Sequence, residues 1–562
     1  MKEIRRLLLM LFGCLAVSAI LYGNTIRGQF VYDDSFISTR EELRETSHLS
    51  KLWTEPFLPK NVTAGVYKPI PVFTFSLNFL LFGESTTSFH ITNIVLNGLT
   101  IFLVWLVTWQ LFGNPLLAVF SAALFAFFPI HTETVANIKS RDEILAALFG
   151  LSAWSAFLRA TKSDKIDPGL LALSAVLVLG ALLSKEFAIA IPVIILAIHW
   201  IKLRPSVRGL VKLSLPYVGA VGLYLLLRID TLAEYAFRFG REPFVVNPLV
   251  YTDFWTRFWT AGKIAFLYIS KTFIPWKLSA TYHYNHLTVV HNPFTAWQTA
   301  AGFSLLGILI YLLINRRIRV TPVGIGTLIF LLSYFVFSKF IFPSGDIVAE
   351  RWMYFPSVGF ALIGGQGFVS LFNYRKEVAL VIMAILLSMY AWITITRNTV
   401  WLSQKSLYES MIASAPDSVT GHVFLADTYF DEGKYEEGTP HLLEAATIYQ
   451  DYPPVLNLEG VLAYRNENYE LANQLFHRSL EISPGEGRTI VLYALSLSNI
   501  GRYEESNNLL EPMFWSVADN PLARFVMAVN LYKLGNPRES HKYFDAVPGK
   551  TEEDKITVLE HF

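Results

Sequence analysis

The sequence predicts an all-α protein, a polytopic bundle of membrane-spanning helices followed by a solenoid of short helical repeats. Composition points there first. Of 562 residues, 53% are hydrophobic, 15% aromatic and only 16% charged, with a mean hydropathy of +0.40. A soluble globular chain carries about 25% charged residues, so most of this chain belongs in a bilayer. Distribution comes second: the long apolar runs stop near residue 397, beyond which the sequence is polar and amphipathic. Periodicity is third, because the polar part repeats every 34 residues. The expected domains are therefore a membrane-embedded one at 1–397 and a repeat domain at 398–562.

A crossing helix needs about 20 mostly apolar residues. Runs of about that length fall at 7–24, 89–112, 115–131, 143–160, 168–184, 187–201, 209–229, 295–314, 321–342, 356–372 and 378–396. Nothing like a small-residue cleavage site follows the first, so it reads as an anchor. Basic loop residues set the orientation. Lys2, Arg5 and Arg6, Arg159 with Lys162 and Lys165, Lys202 with Arg204 and Arg208, Arg316 with Arg317 and Arg319, and Arg375 with Lys376 all lie in the cytoplasm if the stretch 258–275, carrying Lys263 and Lys271, does not cross. About eleven spans result, with a cytoplasmic N-terminus and the repeat domain outside, in the periplasm or a lumen.

The repeat shows as Gly433-Lys434-Tyr435-Glu436, Glu467-Asn468-Tyr469-Glu470, Gly501-Arg502-Tyr503-Glu504 and Gly535-Asn536-Pro537-Arg538, with Ala426, Gly460, Ala494 and Ala528 on the same beat. A small residue where two helices touch, every 34 residues, is the tetratricopeptide signature.

Charge and cysteine content exclude other classes. Lys plus Arg number 46 against 45 acidic residues, so no basic field points to nucleic acid. The single cysteine, Cys14, lies in an apolar run, which excludes disulfide frameworks and Cys-based metal sites.

On the noncytoplasmic side, five segments set charges beside aromatic or apolar residues, a costly placement unless those charges pair or work. Asp33 and Asp34, after Phe30-Val31-Tyr32, form a carboxylate pair. It suits a general base, a hard-cation site or a helix cap. Lys68, in Tyr67-Lys68-Pro69, suits a phosphate anchor or an interfacial lysine that keeps its ammonium in water. His131 and Glu133 are two ligands at i and i+2 with no obvious third, weak grounds for a metal. Arg141, in Lys139-Ser140-Arg141-Asp142-Glu143, offers a planar fork for a phosphate or for a carboxylate such as Asp142. Lys185 and Glu186 form an ion pair or meet an anionic ligand. Glu350 and Arg351 enter the membrane edge beside Trp352 and Tyr354. Four cations and their neighbouring carboxylates on one side fit a lipid-linked phosphate at the bilayer edge with a carboxylate base beside it. A transporter would carry its ionisable groups near mid-bilayer.

These segments also come in the order of a known family: Tyr32-Asp33-Asp34, Tyr67-Lys68-Pro69, Asn78-Phe79, Phe89-His90, Asn93, Phe128-Pro129-Ile130-His131-Thr132-Glu133, Arg141-Asp142-Glu143, Leu183-Ser184-Lys185-Glu186 and Arg351-Trp352-Met353-Tyr354-Phe355-Pro356-Ser357. With the central region from about Asn247 to His286, the chain resembles the transmembrane and tetratricopeptide repeat-containing O-mannosyltransferases. That resemblance implies a C-type glycosyltransferase membrane fold and a polyprenyl- or dolichyl-phosphate monosaccharide donor, usually mannose. It further implies transfer to Ser or Thr hydroxyls of translocated proteins held by the repeats. By the same resemblance Asp33 or Asp34, with Asp33 preferred, is the catalytic carboxylate of the first external loop, acting as general base. Arg141, Lys185, Arg351 and Lys68 hold the donor phosphate, supported by His131, Glu133, Asp142, Glu186, Glu350 and Tyr354. No metal or other cofactor is expected. The short repeat array and a lysine at 68, where arginine is commoner, depart from the family. The competing reading is a non-catalytic membrane scaffold presenting its repeats to partner proteins, in which the membrane-side charges are dispensable.

Overall fold

The computed structural model describes residues 2–57, 65–163, 165–237, 243–340, 345–513 and 520–545. Two positions of the expected span 321–342 and the end of the repeat domain lie outside these. Among the described residues all regular structure is helical. The chain divides into two units, Met1–Pro416 and Asp417–Phe562.

The first unit contains α1 (Lys2–Tyr22), α2 (Pro69–Phe82), α3 (Thr86–Phe112), α4 (Pro115–Phe127), α5 (Thr132–Ala136), α6 (Arg141–Ala160), α7 (Pro168–Ser184), α8 (Ala190–Leu203), α9 (Val207–Leu232), α10 (Phe254–Phe273), α11 (Trp297–Ile314), α12 (Pro322–Phe335), α13 (Ser357–Tyr374), α14 (Lys376–Asn398) and α15 (Gln404–Ser414). Their starts are written locally. Proline occupies the first turn of α2, α4, α7 and α12, where its missing N–H costs nothing. Asn114 and Asp167 each accept two backbone N–H bonds at the starts of α4 and α7.

Among the described residues seven helices are long and apolar enough to cross a membrane, eight if the bent pair 115–127 and 129–136 is one span. Three shorter apolar helices, α2, α7 and α12, have 14, 17 and 14 residues. The eleven-span expectation adds α7, α12 and α13 to the eight. The amphipathic α10, which the basic-loop argument needs not to cross, is not among the seven. Close packing rests on glycine: a β-carbon on Gly302 would meet the Gly262 carbonyl oxygen at 1.8 Å, and one on Gly326 would meet that of Gly359 at 2.4 Å. α11 thereby packs against α10, and α12 against α13, at the backbone-to-backbone spacing small residues allow.

The first unit extends past the Arg397–Asn398 boundary that hydropathy gives. Asn398 donates to the Leu21 carbonyl and to Asn24, each contact reaching the far end of α1, and Leu402 accepts from Gln29. Polarity changes at residue 398, but packing changes only after Pro416.

The second unit holds four helix pairs among the described residues: α16 (Val419–Asp431) with α17 (Tyr435–Ile448), α18 (Pro453–Arg465) with α19 (Tyr469–Ile482), α20 (Gly487–Asn499) with α21 (Tyr503–Leu510), and α22 (Pro521–Lys533) with α23 (Pro537–Asp545). Ala426, Ala494 and Ala528 are fully buried. A β-carbon on Gly460 would meet the Phe476 ring at 2.5 Å. The turns of the four pairs carry positive φ at Gly433, Glu467, Gly501 and Gly535, with Glu467 the one position that bears a side chain there.

Candidate active site

The charged segments meet at one end of the first unit. Val31 is extended and Tyr32 has φ +53°, so the chain turns sharply and presents two successive carboxylates in opposite senses. Asp34 points inward and is wholly buried. Its Oδ2 accepts the Val31 N–H at 3.1 Å and its Oδ1 accepts the Lys139 N–H at 2.8 Å. It ties the first loop to the loop before α6. Burial, opposed by those backbone N–H groups, raises its pKa to about 7. Asp33 points the other way and keeps 17% of its side chain exposed, its Oδ2 2.9 Å from Lys139 Nζ.

Arg351 faces the same space. Its guanidinium pairs with Glu133 Oε1 and, at 2.8 Å, with Asp346 Oδ2, while its backbone N–H donates to Glu133 Oε2 at 2.9 Å. The two carboxylates hold Arg351 well above its ordinary range despite burial, and its charge interacts with Asp33 and Tyr32. Burial pushes Asp346 up, but the His283 imidazole, 3.5 Å away, and Arg351 outweigh it and hold that carboxyl well below the usual range.

A second cluster adjoins. Asp142 Oδ2 receives Lys68 Nζ at 2.9 Å and Lys185 Nζ at 3.0 Å, Lys185 also meets Glu143 at 2.9 Å, and Glu186 lies 3.9 Å from Lys68. Burial lowers Lys68 in spite of its carboxylate neighbours. For Lys185, Asp142 and Glu143 outweigh burial and hold it well above its ordinary range. Lys139 links the clusters, since its charge acts on Asp142 while its ammonium pairs with Asp33. Beside Lys185 and Glu143 lies a small pocket of about 30 Å³, walled by Phe187, Ile191, Phe337, Trp352 and Phe355.

Other expected residues lie elsewhere. Arg141 is fully buried, and its fork is spent on the protein: Asn93 Oδ1 and Asn78 Oδ1 at 2.7 Å each, the Thr74 carbonyl and hydroxyl at 3.2 Å, and the Phe89 carbonyl at 3.1 Å. Phe75 caps it at 4.6 Å. His131 Nε2 sits 2.8 Å from the Ser357 hydroxyl, and Tyr354 donates to Asn97 at 2.7 Å. Glu350 turns away from Arg351 and accepts from the Ser279 N–H at 2.8 Å and from the Tyr282 hydroxyl. Among the described residues no group of three His, Cys, Asp or Glu side chains is placed to hold a metal ion.

Lys139, Asp346 and His283 are members of the layer that sequence reasoning did not single out. Lys139 and Asp346 stood inside charged segments but had no visible partner. His283 is one aromatic polar residue in a central region rich in them.

Residues 67–230 match the family described as dolichyl-phosphate-mannose-protein mannosyltransferase. The chain is 26% identical over 500 residues to the protein O-mannosyl-transferase TMTC1 of Homo sapiens, covering 79% of this chain and 56% of that protein. It is 26% identical over 480 residues to the protein O-mannosyl-transferase TMTC4 of Mus musculus, covering 74% and 63%. The chain thus spans less than two thirds of the length of either relative. The archaeal oligosaccharyltransferase AglB from Archaeoglobus fulgidus, solved with an inhibitory peptide and a dolichol-phosphate, matches with TM-score 0.42 and 13% identity over 77% of this chain and 59% of that one. By the mannosyltransferase match at 67–230 and by similarity along most of its length, this chain resembles the protein O-mannosyl-transferases, the family its ordered motifs suggest.

Proposed function

We propose that the chain is a C-type glycosyltransferase that moves a monosaccharide, mannose by its resemblance, from a polyprenyl phosphate to Ser or Thr hydroxyls of translocated proteins. The observation that carries this reading is the division of labour in the first loop. Asp34 is committed to two backbone N–H groups, whereas Asp33 is a part-exposed carboxylate set between Lys139 and Arg351. The cations gathered around the site's carboxylates, Lys68, Lys185 and Arg351, support a phosphate-linked donor.

In this reading the donor phosphate lies at Lys185. The acceptor hydroxyl gives its proton to an Asp33 oxygen as its oxygen bonds to the anomeric carbon. The anomeric carbon–phosphate oxygen bond breaks, and the departing phosphate takes the electron pair beside Lys185, Lys68 and Arg351. One displacement inverts the sugar. Arg141 and His131 position helices in this scheme and do not touch the phosphate. The layer faces the noncytoplasmic side, and the four helix pairs form a tetratricopeptide array whose concave face holds an extended acceptor.

The test is transfer of labelled mannose from a short-chain polyprenyl-phosphate mannose to a secreted-protein acceptor by purified protein. Asp33→Asn is expected to lower kcat by about 10²–10⁴-fold, the usual weight of a positioned general base, with unchanged thermal stability. Full activity in that variant removes Asp33 from the role. Dispensable Asp33, Lys185 and Arg351 together would favour the scaffold reading.

A further inference from the structure

A cavity of about 840 Å³ opens at the other ends of the helices that build the charged layer. It lies between the C-terminal turns of α3, α6 and α8 and the start of α1. Asp142, second residue of α6, belongs to the charged layer, and Arg159 stands near the helix's other end. The 20 residues of α6 at about 1.5 Å each separate cavity and site by about 30 Å, the thickness of a hydrocarbon core.

Its lining has two parts. Trp154, Leu106 and Ile198 belong to its apolar lining, and Arg159, Lys162 and Lys202 supply its cations, with the His199 imidazole beside them. Among the described lining residues there is no carboxylate. In the active-site layer, by contrast, Lys68, Lys139, Lys185 and Arg351 each meet an acid within 3.0 Å. Lys202 is held in place by the Leu111 carbonyl and lies 4.6 Å from the Phe112 ring, so its charge is fixed in the lining. Arg6 of α1 adds a further cation, 4.8 Å over the Trp109 ring that forms part of the wall.

We propose that this cavity binds an anionic glycerophospholipid of the leaflet opposite the active site, with its phosphate at Arg159, Lys162 and Lys202 and its acyl chains against the apolar wall. A soluble phosphate would satisfy the cations and leave the tryptophan and leucine surface wet. A neutral lipid would fill the wall and leave uncompensated cations crowded together. Basic pockets between transmembrane helices bind acidic headgroups by this combination.

The experiment is native mass spectrometry of full-length protein in detergent, offered equal amounts of phosphatidylglycerol and phosphatidylcholine with the same acyl chains. Wild type is expected to retain the anionic lipid about tenfold or more over the neutral one. Arg159→Gln/Lys162→Gln/Lys202→Gln is expected to lose that preference, and Arg159→Lys/Lys162→Arg/Lys202→Arg to keep it, which separates charge from folding. Equal retention of both lipids by wild type, or an undiminished preference in the glutamine variant, overturns the proposal. So does a preference for short-chain polyprenyl phosphate over phosphatidylglycerol, because the occupant would then be the spent carrier.

Discussion

Asp33 and Asp34 are neighbours in sequence and opposites in environment. The turn at Tyr32 sends one into the protein and leaves the other beside solvent. The buried member carries a consequence for stability. Its pKa is about 7 in the folded chain, against the ordinary value of 3.8. Between those values the folded protein binds a proton that the unfolded chain has released, so stability from this group is full below about pH 4 and declines as pH rises towards 7. Asp34→Asn removes the titration and also replaces one acceptor oxygen with a donor that must face a backbone N–H. The expected result is a loss of about 1.5–3 kcal/mol at pH 4, where the wild-type carboxyl is mainly protonated, and a flatter unfolding profile from pH 4 to 7. Chemical denaturation at several pH values checks this. An unchanged pH slope in the Asn variant would show that Asp34 does not titrate there.

At the scale of elements, the site depends on three helices joined by one side chain. Arg141, first residue of α6, donates to Thr74 and Asn78 of α2 and to Phe89 and Asn93 of α3. Lysine has the charge without the fork and cannot reach four acceptors in different directions. Arg141→Lys should therefore cost about 2–4 kcal/mol, read as earlier thermal unfolding, while activity per folded molecule stays within about threefold of wild type. A phosphate-binding arginine would show the reverse, normal stability and a large loss of kcat. The contrast explains what the sequence reveals and what it withholds. Long apolar runs, proline starts, helix caps and the 34-residue beat are local, and each is legible in a single stretch. That five charged segments share one end of the apolar helices is also legible, because hydropathy and basic loops order the chain. Which charges are spent internally is not. Asp34 is caged by the N–H of Lys139, 105 residues away, and Glu133 by Arg351, 218 residues away. Neither partner leaves a periodic or local trace. The division by packing after Pro416, beyond the change of polarity near 397, is illegible for a related reason, since Asn398 is polar yet held by Leu21 at the end of α1.

At the scale of the whole molecule, two units of different chemistry divide the task that we propose. The first concentrates its ion pairs in one layer of an apolar bundle. The second is polar, built of helix pairs spaced so that equivalent positions recur along one face. Arg488 of α20 reaches Asp427 and Asp431 of α16, at 3.1 and 3.3 Å, bridging the first and third pairs across α18. All three side chains are partly or largely exposed, so the bridge contributes at most about 1 kcal/mol to folding. A polar cluster of little structural value on a face shared by successive repeats is suited to contact an extended polypeptide. Asp427→Ala/Asp431→Ala is therefore expected to raise KM for a protein acceptor roughly fivefold, the equivalent of about 1 kcal/mol of lost binding. Its kcat on a short Ser/Thr peptide and its KM for the lipid donor should stay unchanged, because neither substrate needs the array. Steady-state kinetics with the two acceptors in parallel separate the cases. An equal change for peptide and protein would place the effect in the first unit or in folding, and no change for either would remove this face from acceptor binding.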